Sequence, residues 1–112
     1  MDPLKVVEVF GNAWANHDLD AALVMLTDDC VFDATGPAPD GTRCVGVEAI
    51  RPAWASIFDD RNAYFEEEET FQSGDRVVQR WRYSFNGGHV RGVDLFRVRD
   101  GKIAEKLSYV KG

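Results

Sequence analysis

The chain has 112 residues, of which 45% are hydrophobic and 29% charged, and its formal net charge is −6. This length suits one hydrophobic core, so we expect residues 1–112 to form a single domain. The acidic balance argues against nucleic-acid binding and against attraction to anionic membrane surfaces.

Targeting signals and membrane spans are not evident in the sequence. No apolar run is long enough to cross a bilayer. The first residues lack the basic start and apolar stretch of a signal peptide. We therefore expect a cytoplasmic protein in which Cys30 and Cys44 are free thiols.

Helical spacing of apolar residues dominates the first part of the chain. Val6, Phe10 and Trp14 recur every four residues, which predicts a helix with one buried face. Asp18 suits the N-cap of a second helix, whose apolar positions repeat at helical spacing up to Leu26.

The middle of the chain combines a short strand with a third helix. Residues 30–35 are typical of a strand, which a Gly-Pro pair ends. A helix is predicted over residues 47–58, with Trp54 on its buried face. Pro52 is compatible with that helix only in or near its first turn.

After Asp60 the apolar period changes to two, which indicates strands. The predicted strands are separated by short turns rich in Gly, Asn and Asp, so neighbouring strands should be antiparallel. They cover residues 63–72, 76–85, 89–99 and 102–110. The sequence therefore predicts an α+β fold, in which three helices close a curved, mostly antiparallel sheet around a pocket.

One face of the strand at 89–99 is apolar except for Asp94. Val90, Phe96 and Val98 share its parity, whereas the other face carries three arginines. Burial would raise the pKa of this carboxyl group and favour the neutral acid. Asp94 is therefore a candidate acid/base residue, and the alternative is a structural carboxylate paired with an arginine or a tyrosine.

Three segments carry a resemblance to a known family: DDCVFDATGP, GVEAIRPAWA and RGVDLFRVRDGKIAEKLSYV. With the helices before them, they resemble the nuclear transport factor 2-like superfamily, in its SnoaL-like and ketosteroid isomerase-like branch. The resemblance implies a cone-shaped barrel with a deep pocket, usually in homodimers formed through the outer face of the sheet. It also implies that Asp94 matches the protonated acid of ketosteroid isomerases, or the acid/base carboxylate of SnoaL-type polyketide cyclases.

Other family positions match this sequence less closely. The general base of ketosteroid isomerases falls on Asp33 or Ala34, depending on the direction of counting, and Asp33 has the opposite parity to Phe32. The oxyanion tyrosine of the isomerases falls on Phe10, which cannot donate a hydrogen bond. The acid of the epoxide-hydrolase branch falls on Ser108. Both activities are therefore disfavoured.

The orientation of two arginines affects Asp94. Alternation in the strand at 76–85 allows Arg80 and Arg82 to point outward, with Glu66 and Glu68 as cross-strand partners. Counting from the family pattern turns the arginines inward instead, where they would hold Asp94 ionised.

Two functions remain open. One is an isomerase or cyclase that acts by acid/base chemistry on an apolar carbonyl compound, with Asp94 and Asp33 as catalytic residues and without cofactor or metal. The other is a non-catalytic ligand-binding or dimerisation module. For the enzyme, the ligand would be a small polyketide, terpenoid or steroid-like molecule. The residues expected to contact it are Trp14, Phe32, Trp54, Tyr83, Phe96 and Ser108.

Overall fold

A computed structural model describes residues 2–112. The helices are α1 (Pro3–Ala15), α2 (Leu19–Leu23) and α3 (Val47–Phe58). The strands are β1 (Leu26–Asp33), β2 (Arg43–Val45), β3 (Tyr64–Ser73), β4 (Arg76–Phe85), β5 (Gly88–Arg99) and β6 (Lys102–Val110). Helices and a curved sheet therefore combine in the predicted α+β fold.

The strands form one sheet in the order β2-β1-β6-β5-β4-β3. Strands β3 to β6 are the predicted antiparallel meander. Strand β1 pairs parallel with β6, and β2, which the sequence pattern does not indicate, pairs antiparallel with β1. Because β2 and β3 are free edges, the sheet is an open cone and does not close into the barrel that the resemblance implies.

The helices depart from the predicted pattern at two points. The Asp18 carboxylate caps α2 by accepting a hydrogen bond from the Ala21 N–H at 3.1 Å, but the helix ends at Leu23 because Leu26 already begins β1. Helix α3 begins at Val47, which places Pro52 in its interior rather than in the first turn. The proline lacks an N–H group, so one intrahelical hydrogen bond is missing there.

The core lies between the helices and one face of the sheet. Phe10 of α1 contacts Trp54 of α3 and Phe96 of β5, with ring centroids 5.5 and 5.9 Å apart. Burial of large aromatic surfaces dominates the stability of such a core. Within residues 2–112, no helix has both the length and the apolar composition that a membrane span requires.

A β-bulge shifts the register between β5 and β6 near their shared turn. On one side of the shift Ile103 lies opposite Val98, and on the other side Lys106 lies opposite Phe96. Directly opposed residues share a face of the sheet. Ile103 and Lys106 therefore both face the helices, although simple alternation along β6 would place them on opposite faces.

Candidate functional site

A cavity of about 500 Å³ lies between α1 and the helix-covered face of strands β3 to β6. This volume is in the range of roughly 300–1,000 Å³ that is usual for small-molecule sites. Aromatic side chains form much of the wall: Phe10, Trp14, Phe65, Trp81 and Phe96. Asp94 and Lys106 are the charged residues of its inner part.

Asp94 and Lys106 form a buried ion pair. Only 4% of Asp94 and 5% of Lys106 is exposed to solvent. Lys106 Nζ lies 3.1 Å from Asp94 Oδ2 and donates a hydrogen bond to Ser108 Oγ at 3.2 Å. An ammonium has three N–H bonds, so at least one remains for a ligand oxygen.

Aromatic rings surround the Lys106 ammonium. Its Nζ lies 4.6 Å from the centroid of the Trp14 ring, 5.2 Å from that of Phe32 and 6.0 Å from that of Phe96. The negative face of an aromatic ring attracts a cation, most strongly where water is excluded. The ring faces and Asp94 together surround the ammonium with negative electrostatic potential.

The sequence-based expectation that Asp94 is neutral considers only the burial of this residue and does not include Lys106. Lys106 Nζ lies 3.1 Å from Asp94 Oδ2, which is the distance of an ion pair. The geometry therefore supports an ion pair. The partner of Asp94 is a lysine rather than the arginine or tyrosine that the sequence suggests.

The sequence pattern does not identify Lys106. In a regular strand that buries the apolar Ile103, Lys106 would point away from the helices. The β-bulge removes this conflict. A usable signal is nevertheless present: Lys106 has the same parity as Ser108, which the family resemblance places in the pocket. Applying that parity along β6 would have identified the lysine.

Two buried polar atoms on cavity-lining residues have no hydrogen-bond partner within residues 2–112. They are Asp94 Oδ1, an acceptor, and Trp81 Nε1, a donor. The Trp81 ring lies against Gly92, where a Cβ atom would approach it to 2.5 Å. Buried polar atoms are normally hydrogen-bonded, so both atoms are candidates for contact with a bound molecule.

Asp33 lies outside this cavity, and the hypothesis that it shares the site with Asp94 is wrong. It faces away from the helices, opposite Leu107, and binds Arg43 Nε at 2.7 Å and Nη2 at 2.9 Å. The Arg43 hydrogen bonds lower the pKa of the Asp33 carboxyl group. Asp33 and Arg43 line a separate cavity of about 430 Å³ beside the β1–β2 loop.

The aromatic residues predicted to contact a ligand divide into three groups. Trp14 and Phe96 line the cavity. Phe32 and Trp54 are buried behind that wall, with ring centroids 5.5 Å apart. Tyr83 lies beyond the wall, against aromatic residues of β3 and β4. Only the first group is placed for direct contact.

Arg80 and Arg82 of β4 both point away from the helices, as one of the two alternatives predicts. Arg80 Nη1 pairs with Glu69 Oε1 at 3.3 Å. A register shift in β3 brings Glu69, rather than Glu68, opposite Arg80, whereas Glu66 does lie opposite Arg82. Neither arginine reaches the buried carboxylate.

Comparison with known proteins identifies the family. A family model of the SnoaL-like domain matches residues 6–106. The chain belongs to the SnoaL-like family. No curated protein matches the SnoaL-like chain.

Solved structures similar to this SnoaL-like protein share its fold over nearly the whole chain. An NTF2-like protein of unknown function from Mesorhizobium loti is 40% identical, with a TM-score of 0.89 over 98% of this chain and 91% of that one. A predicted polyketide cyclase from Sinorhizobium meliloti is 26% identical, with a TM-score of 0.81 over 93% of each chain. RV0760c from Mycobacterium tuberculosis, solved in complex with estradiol-17β-hemisuccinate, is 25% identical, with a TM-score of 0.80 over 97% and 94%. These matches confirm the nuclear transport factor 2-like fold.

Proposed function

We propose that the cavity binds a small, largely apolar carbonyl compound, and that in an isomerase or cyclase reaction Asp94 transfers a proton on it while Lys106 stabilises the enolate. The observation that carries this proposal is a buried ion pair in the inner wall of the cavity, among aromatic side chains. A polyketide, terpenoid or steroid-like ligand suits such a wall. The similarity to a predicted polyketide cyclase and to a protein with a bound estradiol derivative supports this ligand class.

In this mechanism the substrate oxygen accepts a hydrogen bond from the free N–H of Lys106, and the Asp94 carboxylate removes a proton from the α-carbon. The electrons of the C–H bond form an enolate, whose oxygen the ammonium stabilises. Returning the proton from Asp94 to another carbon completes an isomerisation. In a cyclisation the enolate carbon attacks a second carbonyl group, and Asp94 protonates the resulting alkoxide.

The ion pair makes this proton transfer electrostatically feasible in an apolar cavity. Before the transfer, the negative charge beside Lys106 is on Asp94, and afterwards it is on the enolate oxygen. The ammonium therefore always has an anionic partner, and no isolated charge is created in a region of low dielectric constant. A cofactor is not needed, because one carboxyl group takes and returns the proton.

Hydrogen–deuterium exchange at the α-carbon of 2-tetralone, followed by NMR in D₂O, tests this function. We expect the protein to accelerate exchange and Asp94→Asn to abolish the acceleration, because the amide still accepts from Lys106 but cannot take a proton. Asp33→Asn is the matched control, since this carboxylate lies outside the cavity. Exchange at the wild-type rate in Asp94→Asn would exclude Asp94 as the base.

A ligand-binding module without catalysis is the second candidate function. Two observations favour it: the only carboxylate of the inner cavity within residues 2–112 is held in an ion pair, and Phe10 lines the wall where an isomerase would have a tyrosine. Quenching of Trp14 and Trp81 fluorescence by 2-tetralone, without any exchange, would support this function over the enzyme.

We further propose a homodimer formed through the outer face of the sheet, in a reducing cytoplasm. Apolar residues lie directly opposite one another across four strands of that face: Phe71, Val78, Leu95 and Leu107. A self-complementary apolar row suits a twofold interface. Both cysteines are free thiols, which supports the assignment to the cytoplasm.

A further inference from the structure

The exposed lining residues of the cavity define its mouth, which lies between α1 and β3. Leu4, Glu8 and Asn12 follow one another at four-residue spacing along α1, and Glu67 faces them from β3. Gly11 lies in the middle of the α1 side, and a Cβ atom there would meet nothing within 4 Å. The mouth is therefore open at Gly11 and has a carboxylate on each side.

A line of hydrogen bonds connects the inner cavity to this mouth. Gln79, which lies opposite Asp94 in the sheet, donates from Nε2 to Thr70 Oγ1 at 3.2 Å. The Thr70 hydroxyl in turn donates to Glu67 Oε1 at 2.5 Å. These bonds hold the Glu67 carboxylate in place at the entrance.

The charges of the cavity wall do not cancel at the mouth. Within residues 2–112, the charged lining residues are the inner pair Asp94 and Lys106 and the outer residues Glu8 and Glu67. Glu8 Oε1 pairs with Lys5 Nζ at 3.2 Å, whereas Glu67 has no salt bridge in this part of the chain. The inner part is therefore neutral overall and the entrance is negative.

We infer that the cavity selects an uncharged or cationic ligand with a hydrogen-bond donor at the end facing the mouth, and that it rejects apolar carboxylates. This inference rests on the proposed binding of a carbonyl compound, whose oxygen would contact Lys106. A hydroxyl or ammonium group at the other end can donate to Glu67. A carboxylate there would meet like charge and find no unpaired cation.

Three 2-acetylnaphthalenes that differ only at position 6 test the inference by calorimetric titration. They carry a hydroxymethyl, an aminomethyl or a carboxylate group. At low salt we expect the ammonium probe to bind roughly tenfold or more tightly than the carboxylate probe, with the hydroxymethyl probe between them. High salt should reduce this difference in affinity, because the charges at the entrance are exposed to solvent and are screened by ions.

The variant Glu67→Gln should reduce the preference for the ammonium probe by roughly fivefold. The variant Glu66→Gln is the matched control, because this neighbouring glutamate is exposed but does not line the cavity. Equal affinity for all three probes, or equal effects of the two variants, would overturn the inference. Unsubstituted 2-acetylnaphthalene would still bind in that case, whereas failure of every probe to bind would contradict the proposed function as well.

Discussion

The opposite charges of Asp94 and Lys106 stabilise the protein only as a pair. Their side chains are 5% and 7% exposed, so removing one partner leaves an uncompensated charge in the interior. We expect Lys106→Met to lower the free energy of unfolding by about 3–5 kcal/mol. Adding Asp94→Asn should recover part of this loss, as measured by urea denaturation. Additive losses in the double variant would show that the two groups are not coupled.

The two cysteines should differ in reactivity. Burial raises the pKa of the Cys30 thiol to about 12, whereas Cys44 is partly exposed. Because the thiolate is the reactive form, Ellman's reagent should titrate Cys44 in the folded protein and both thiols after denaturation. Cys44→Ser should leave the folded protein unreactive. Equal labelling rates for both thiols in the folded wild type would contradict this.

The same pKa shift predicts how stability depends on alkaline pH. The ordinary value for this thiol is 9.0, so as pH rises the unfolded chain releases the proton before the folded protein does. The folded state then binds more protons, and stability falls as pH rises from about 9 toward 12. The variant Cys30→Ala lacks this contribution. Its unfolding free energy should therefore fall less over the same range.

At the scale of elements, Gly11 weakens α1 without a packing reason for its presence. Alanine in a helix interior is more favourable than glycine by about 0.5–1 kcal/mol, and the space for its methyl group is empty. We expect Gly11→Ala to raise the free energy of unfolding by about that amount. Gly11→Phe should instead obstruct the mouth and weaken binding of 2-acetylnaphthalene. Unchanged affinity in the phenylalanine variant would place the entrance elsewhere.

The sequence predicts the meander better than the remaining elements. Its strands combine a clear period of two with turns of Gly, Asn and Asp, so their limits lie within one residue of those observed. Strand β2 has only three residues, too few to show a period. Leu26 fits the spacing of α2, and its burial suits either a helix or a strand. Local pattern therefore cannot decide where α2 ends.

The candidate site is predictable only where alternation is unbroken. Asp94 follows from its apolar neighbours because β5 alternates regularly around it. Lys106 does not, because the bulge in β6 reverses the parity of the residues before it. The orientation of Asp33 depends on which face of β1 meets the helices, and its pairing with Arg43 depends on the unpredicted strand β2.

At the scale of the whole molecule, the outer face of the sheet should determine the oligomeric state. Phe71 at one edge of the apolar row is 48% exposed. We expect the 12.6 kDa chain to sediment with twice this mass. Leu95→Arg, in the middle of the row, should give a folded monomer, because a charge would be buried at a twofold interface. A monomeric wild type would contradict the dimer proposal.

The parallel pairing of β1 with β6 has a consequence for biosynthesis. Strand β6 lies between β1 and β5, so the sheet lacks a central member until Lys102–Val110 has been synthesised. A nascent chain that ends before Lys102 already carries the apolar faces of β1 and β5 and the carboxylate of Asp94, but not the lysine that neutralises it. Folding of this sheet therefore depends on the pairing of β1 with β6, which lie far apart in the sequence, and such non-local pairing forms slowly.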